Sequence, residues 1–362
     1  MSENIKQNEH RESSTHAESN KNLACFFKGV QVDYRMDWVR NSIHYVRENW
    51  NDSAWHEKML DKIYEEFHIS IDRSILQQKN WLDEENVSEI NKTSFDLLRY
   101  YTTDAGYEKL KNMNEAFRDK ELDFDKCNVA TYLVELMNIE LYNFIKMYPE
   151  NSNFEGTIYR GFLPTTPEAY DVFERDLKEK ETCPISERQI AIPLEFMSAS
   201  LNVNRALFYS TKDKSSINQT PIMLEIKVRN LDKSLVEKYH SFYPDSPVTS
   251  LCAVPIGGIS AKHEDEEVLW RGAFFQILKT HLNETPVRIE VLMLSANRDH
   301  IKTQKYKDSN AQNLFRSLIK QDKMRICKEL ADNEKDRKEY AVAEELAKQE
   351  VEKILKSQEK KL

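Results

Sequence analysis

Three short stretches of this chain carry residue types that could do chemistry together. The first is Thr157-Ile158-Tyr159-Arg160-Gly161. An arginine inside an otherwise apolar strand costs desolvation unless an anion meets it, and its planar fork suits phosphate oxygens bidentately. Gly161 has no Cβ, which lets a ligand approach the backbone closely. The second is Glu195-Phe196-Met197-Ser198-Ala199-Ser200. On a strand Ser198 and Ser200 share a face opposite Met197, and two hydroxyls on one face can hold a carboxylate or a ribose. The third is Glu264-Asp265-Glu266-Glu267, which runs into Val268-Leu269-Trp270. Extended, it sets Asp265 and Glu267 on one side and Glu264 and Glu266 on the other. Two like carboxylates beside an apolar strand divide the work of an acid or base and an electrostatic stabiliser. Each stretch also has a bland reading: a strand-end salt bridge, a serine capping the next helix, a solvated acidic loop.

The elements that must position these residues follow from the hydrophobic pattern. Residues 1–25 are polar and aperiodic, the composition of a disordered tail. Across 26–90 apolar residues recur at helical spacing: Met36, Val39, Ile43, Val46 and Trp50, then Trp55, Met59, Ile63 and Phe67 after a cap at Asp52 or Ser53. A second helical run covers Ser94–Arg118, and a third carries Val129, Leu133, Leu136 and Ile139 up to Tyr148, before Pro149. After Pro149 come short β-branched and aromatic segments: Thr157–Gly161, Ile190–Ser200, Pro221–Val228, Val248–Val254, Glu267–Leu278 and Val287–Leu294. They predict a mostly antiparallel sheet with polar loops between strands and a short helix at Asn204–Ser210. From 298 to 362 the chain is a charged helical extension. Its stripe of Tyr340, Ala343, Ala347, Val351 and Ile354 suits a solvated or docking helix.

Composition removes several function classes. Lys and Arg number 52 against 61 Asp and Glu, a net charge of −9, which opposes general nucleic-acid binding. Seven glycines form neither G-x-G-x-x-G nor a Walker loop, so Rossmann and P-loop nucleotide sites are excluded. Five scattered cysteines and nine unclustered histidines spell no zinc motif, and no metal is expected. Cysteine usage, the absence of a signal-like leader and the shortness of every apolar run predict a cytoplasmic protein without a membrane span.

Taken in order, Tyr159-Arg160-Gly161, then Phe196-x-Ser198-x-Ser200, then an acidic pair ending in Glu267 before Val268-Leu269 resembles the R-S-E group of mono-ADP-ribosyltransferases. The arginine-specific NAD(P)+–protein branch is the nearest match. Leu97–Arg118, with Tyr100-Tyr101-Thr102-Thr103 and Ala116-Phe117-Arg118, resembles that family's helical lead-in. Two departures stand out. Ala199 replaces the central Thr of Ser-Thr-Ser, and Asp265 stands where arginine-specific members carry Glu; a literal E-x-E lies one residue earlier, at Glu264 and Glu266.

The resemblance implies an α+β fold: a core of two packed, mostly antiparallel sheets with flanking helices, plus N-terminal and C-terminal helical segments. It implies a catalytic domain over 91–297, NAD as co-substrate, and a glycosyl transfer of ADP-ribose to a protein side chain with loss of nicotinamide. Catalytic roles fall to Glu267, Asp265, Ser198 and Arg160, and NAD contacts to Arg160, Gly161, Ser198 and Ser200. The implied partner is an acceptor protein with an exposed arginine, and the terminal helices offer further partner surfaces. NAD hydrolysis and a catalytically silent module on the same fold remain the alternatives.

Overall fold

The computed structural model describes residues 41–78, 95–117, 123–163, 167–211, 220–262, 266–298 and 309–359. The tail expected over 1–25 lies outside them. Helix α1 (Ser53–Phe67) starts where the Asp52 carboxylate accepts from the N–H groups of Ala54 and Trp55. It ends at His68, whose left-handed backbone closes the last turn onto Tyr64. The lead-in is two helices rather than one, α2 (Asp96–Tyr101) and α3 (Asp104–Ala116). Thr102 and Thr103 break it by donating their hydroxyls to the carbonyls of Arg99 and Tyr100 at 2.7 and 2.8 Å. Helix α4 (Phe124–Met147) is buried on nearly every side, as expected of a central helix.

Six strands follow: β1 (Gly156–Phe162), β2 (Gln189–Ser200), β3 (Ile222–Asn230), β4 (Ala253–Pro255), β5 (Glu267–His281) and β6 (Val287–Ser295). Their order is β2-β1-β3-β6-β5-β4, and β2 also pairs with β5. Among the described residues only β3 and β6 pair in parallel. The alternation of side chains sorts the molecule into layers. Ile158, Leu224, Ile226, Ile289 and Val291 share one core with Met197, Ala199, Val268 and Trp270, so the wall of β1, β3 and β6 faces the wall of β2, β4 and the start of β5. On the outside of the second wall, Phe196 and Leu269 pack against α1 to α4. This is the expected α+β core of two packed, mostly antiparallel walls with flanking helices.

Two stretches expected to be polar loops are helices, α5 (Pro167–Thr182) and α7 (Lys233–Phe242), on either side of α6 (Val203–Thr211). Their apolar stripes are narrow: α7 buries Leu235 and Tyr239 under an Asp232 N-cap, and α5 buries Phe173 and Leu177. The segment expected as a strand from Val248 forms only β4, because Thr249 bridges instead to Asn297. The C-terminal helices α8 (Ser309–Leu330) and α9 (Glu334–Glu359) dock on the molecule. Leu314, Phe315, Leu318, Tyr340 and Val351 form one cluster with Leu292 and Leu294 of β6 and with Leu235 and Tyr239 of α7. Buried Asp322 accepts the Asp232 N–H at 2.8 Å, and Gln358 donates to the Tyr243 hydroxyl at 2.9 Å. Among the described residues no helix is long and apolar enough to cross a membrane.

A segment that covers a sheet face in this way is a layer of the core. Leu318→Ala should therefore lower unfolding free energy by about 2–5 kcal/mol, the usual cost of a large-to-small change in a core. Deleting 309–359 should give insoluble protein. Urea unfolding and the soluble fraction test both, and a stable, soluble truncate would show that the outer face of β6 tolerates water.

Candidate active site

The three motifs meet at one junction. Strand β1 pairs with β2 at a single position, Tyr159 opposite Ser200, and Ser200 lies opposite Glu267 on β5. Arg160 and Ser198 sit one and two residues from that row. Beyond it β1 and β2 part, and the Ser198 carbonyl accepts from Arg160 Nη1 at 2.5 Å. A guanidinium has five N–H donors, so this bond fixes the fork and leaves capacity for an anion.

Glu267 enters its strand anchored. The Ser260 hydroxyl donates to Glu267 Oε2 at 2.8 Å, and the Glu267 carbonyl accepts from Ile256 N–H at 2.9 Å. Glu266 turns to a different neighbour: its carboxylate accepts from Asn202 Nδ2 at 3.3 Å and its carbonyl from the Leu201 N–H at 3.0 Å. Glu264 and Asp265 lie outside the described residues. The two serines are used differently. Ser200 Oγ accepts from the Asn202 N–H at 3.0 Å and shapes the entry to α6, whereas Ser198 holds Arg160 through its carbonyl.

Gly161 is a point of close approach. The close approach it permits is made by the chain itself: a Cβ there would stand 1.7 Å from the Ala206 carbonyl oxygen, on the backbone of α6. The glycine seats a helix on β1, and that helix carries the turn holding Glu266.

Residues of the lead-in also reach the site, and motif reading assigned them no role. Asn114 grips both backbone groups of Phe196, donating from Nδ2 to its carbonyl at 2.8 Å and accepting its N–H at 3.2 Å. Tyr101 donates to the same carbonyl at 3.4 Å. Thr102 Oγ1 accepts the Ala261 N–H at 2.7 Å, and Lys262 pairs with Asp104 at 2.7 Å, so the loop before Glu267 is tied to the α2–α3 corner. One signal was present: Asn114 sits on the face of α3 that carries Leu110 and Phe117, a polar residue on an apolar stripe. Helix α2 has no side-chain cap of its own. Glu140 of α4 supplies one, accepting from Leu97 and Leu98 N–H at 3.3 and 2.9 Å. Burial pushes the Glu140 carboxyl up to about 8, against the pull of these two bonds and with a small push from Asp96.

Among the described residues no group of three or more His, Cys, Asp or Glu could hold a metal ion. What the junction offers is one guanidinium, one anchored carboxylate and serine hydroxyls on the strand that pairs with both. That set suits an anionic ligand carrying hydroxyl groups, with the carboxylate placed to meet positive charge.

No protein-family model matches the chain, and no curated protein matches it. Solved structures do. The ADP-ribosyltransferase Vis of Vibrio splendidus, in complex with agmatine, is 16% identical over 61% of this chain and 90% of its own, with a TM-score of 0.35. An N-terminally truncated form of the type III effector XopAI from Xanthomonas axonopodis pv. citri is 13% identical over 81% of this chain and 99% of its own, with a TM-score of 0.33. The C3 exoenzyme of Clostridium limosum is 15% identical over 65% of this chain and 94% of its own, with a TM-score of 0.34. The chain is thus similar to solved ADP-ribosyltransferases. At these TM-scores the likeness carries neither substrate nor residue roles across.

Two outcomes follow from the contacts. Gly161→Ala should destabilise by about 1–3 kcal/mol, since the Cβ meets backbone that cannot rotate away; a melting temperature equal to the parent's would mean α6 sits off β1 in solution. For Glu140 the sign is set by a raised carboxyl. The folded state keeps a proton that the unfolded chain releases, so stability is full below the ordinary 4.5 and falls as pH climbs toward about 8. The slope between those values should reach about 1.4 kcal/mol per pH unit and should flatten in Glu140→Gln. Urea titrations at a series of pH values measure it, and equal slopes in both proteins would remove Glu140 from the account.

Proposed function

We propose that the chain is a mono-ADP-ribosyltransferase that moves ADP-ribose from NAD to a protein side chain, with arginine the acceptor and nicotinamide the leaving group. The observation that carries this reading is the convergence of Arg160, Ser198 and Glu267 on the Tyr159–Ser200–Glu267 row. On this reading Arg160 holds the diphosphate and ribose side of NAD through the donors its bond to Ser198 leaves over. Glu267, with one oxygen fixed by Ser260, meets the positive charge that develops on the ribose as the glycosidic bond breaks, as a carboxylate does in glycoside cleavage. Ser198 orients the ribose or Glu267. Asp265 takes the acceptor, because a guanidinium with pKa above ~12 needs a carboxylate to orient it and finally remove its proton. The domain would then span 91–297.

The anchoring of Glu267 by Ser260, set against the engagement of Glu266 with Asn202, supports Glu267 rather than Glu266 as the stabilising carboxylate. One residue favours a second reading. Asp265 is a methylene shorter than Glu, a withdrawal of about 1.5 Å, and a misplacement of about 1 Å at a reacting centre can cost on the order of 10²-fold. Water tolerates this better than a guanidinium, so NAD hydrolysis competes with transfer.

Nicotinamide release by the purified chain, with and without an arginine acceptor, tests the assignment. Glu267→Gln should slow release about 10²–10³-fold while NAD still binds. Asp265→Glu should raise transfer and leave release nearly constant, and Asp265→Ala should abolish transfer and spare hydrolysis. Full turnover in Glu267→Gln would move the role to Glu266. Parallel changes in both Asp265 variants would remove the arginine assignment.

A further inference from the structure

Two hydroxyls outside the three motifs stand behind Glu267. Ser260, 4% exposed, donates from Oγ to Glu267 Oε2 at 2.8 Å. Thr102, 3% exposed at the α2–α3 corner, accepts the N–H of the next residue, Ala261, at 2.7 Å. The segment that carries Ser260 is closed on itself. Gly257–Ile259 make a single 3-10 turn, the Ser260 N–H returns to the Ile256 carbonyl at 3.1 Å, and the Ile256 N–H reaches the Glu267 carbonyl at 2.9 Å. Ser260 and Glu267 therefore meet across a loop fastened at its base by backbone and at its shoulder by Thr102.

Counting protons gives each bond its direction. A hydroxyl has one proton to give and lone pairs to accept with. Thr102 Oγ1 gives its proton to the Arg99 carbonyl at 2.7 Å, so toward Ala261 it only accepts. Ser260 Oγ accepts the Lys262 N–H at 3.3 Å, and its own proton goes to Glu267. To the charged carboxylate that the function above requires, such a bond is about twice as strong as a neutral one. The Lys262–Asp104 pair at 2.7 Å bridges the same corner, but the Asp104 side chain is 94% exposed, and an ion pair in water contributes little. The buried hydroxyls hold the loop.

We propose that Ser260 is the positioning residue of Glu267 and that Thr102 sets it from the α2–α3 corner, so that two hydroxyls fix the carboxylate before NAD enters. The proposal rests on the NAD-cleaving assignment above. A carboxylate gripped by one oxygen loses free rotation about its last bond. Charge placed in advance in this way needs no rearrangement at the moment of reaction. The helical lead-in then acts on the chemistry through a loop, by way of Ala261 and Ser260. It also divides the labour among serines: Ser198 holds Arg160 through its carbonyl, Ser200 turns the chain toward α6, and Ser260 holds the carboxylate.

Ser260→Ala removes the donor, and Ser260→Thr keeps it. In Ser260→Ala kcat for nicotinamide release should fall about 10–100-fold, the rate equivalent of a hydrogen bond to a charged group, while KM for NAD stays within about twofold. Ser260→Thr should recover most of that loss. A serine that serves stability alone would lower the melting temperature and leave kcat per folded molecule unchanged, which overturns the proposal. Thr102→Val removes the second hydroxyl at nearly constant shape and should slow release about tenfold. Added to Ser260→Ala it should cost less than about twofold more, because both act through one contact; effects that simply multiply overturn the relay. Crystal structures of the unaltered chain and of Ser260→Ala judge the geometry without any assay. The Glu267 carboxylate should turn in the variant, and an unmoved Glu267, or a Ser260 Oγ beyond about 3.5 Å from it in the unaltered chain, overturns the proposal. If the unaltered chain releases no nicotinamide, the function assignment fails, and that comparison still judges Ser260.

Discussion

Everything at the candidate site depends on where β1 leaves β2. The two strands share one pair, Tyr159 with Ser200, and then diverge. A strand that loses its neighbour keeps polar backbone groups that must be satisfied. The Ser198 carbonyl is met by Arg160, and both backbone groups of Phe196 are met by Asn114, with Tyr101 on the same carbonyl. Side chains thus replace a missing ladder. The cleft and the residues around it are one solution to one problem, since a longer β1–β2 ladder would close the gap and occupy the carbonyls that now hold Arg160, Asn114 and Tyr101.

The layers outside the sheet keep that junction in place. Helix α4, buried on nearly all sides, reaches across to cap α2 through Glu140, and α2 delivers Tyr101 and Thr102 to the site. On the far side, α8 and α9 cover Leu292 and Leu294 of β6. Since β6 lies between β3 and β5, that layer supports the strand carrying Glu267 from behind. Charge does little of this work. Apart from Asp322, Lys328 with Glu344, and the half-buried set of Arg288, Glu225 and Glu290, the ion pairs named for the described residues lie mostly in water, where such pairs contribute little.

Period-two alternation made the strands readable: β1, β2, β3, β5 and β6 all fall where β-branched and aromatic residues cluster, and the helix after Ser200 is where its short apolar pattern placed it. Helices α5 and α7 were hidden because, among the described residues, two buried apolar side chains each leave too thin a stripe against a charged background. The break between α2 and α3 was hidden because threonine hydroxyls competing for helix carbonyls leave no mark on hydrophobic period. Residue type and spacing singled out Arg160, Ser198, Ser200 and Glu267, and the fold gathers them at one junction. The partners of those residues were not legible: Ser260 for Glu267, Asn114 for the Phe196 backbone and Ala206 for Gly161 are contacts made by folding, and no local pattern encodes them. Gly161 shows the limit most clearly, because a missing Cβ announces a close approach without saying by what.

The closing pair of the sheet also sets when the junction can exist. Tyr159, Ser200 and Glu267 come from distant parts of the chain, and the helix pair that holds the Phe196 backbone comes from a fourth. Contacts of such long sequence separation are costly in loop entropy and form late. A chain still emerging from synthesis, or one held partly open, has its arginine, serine and glutamate far apart and no junction to join them. The junction arrives with its last rung, so a partly folded copy has none of it to offer.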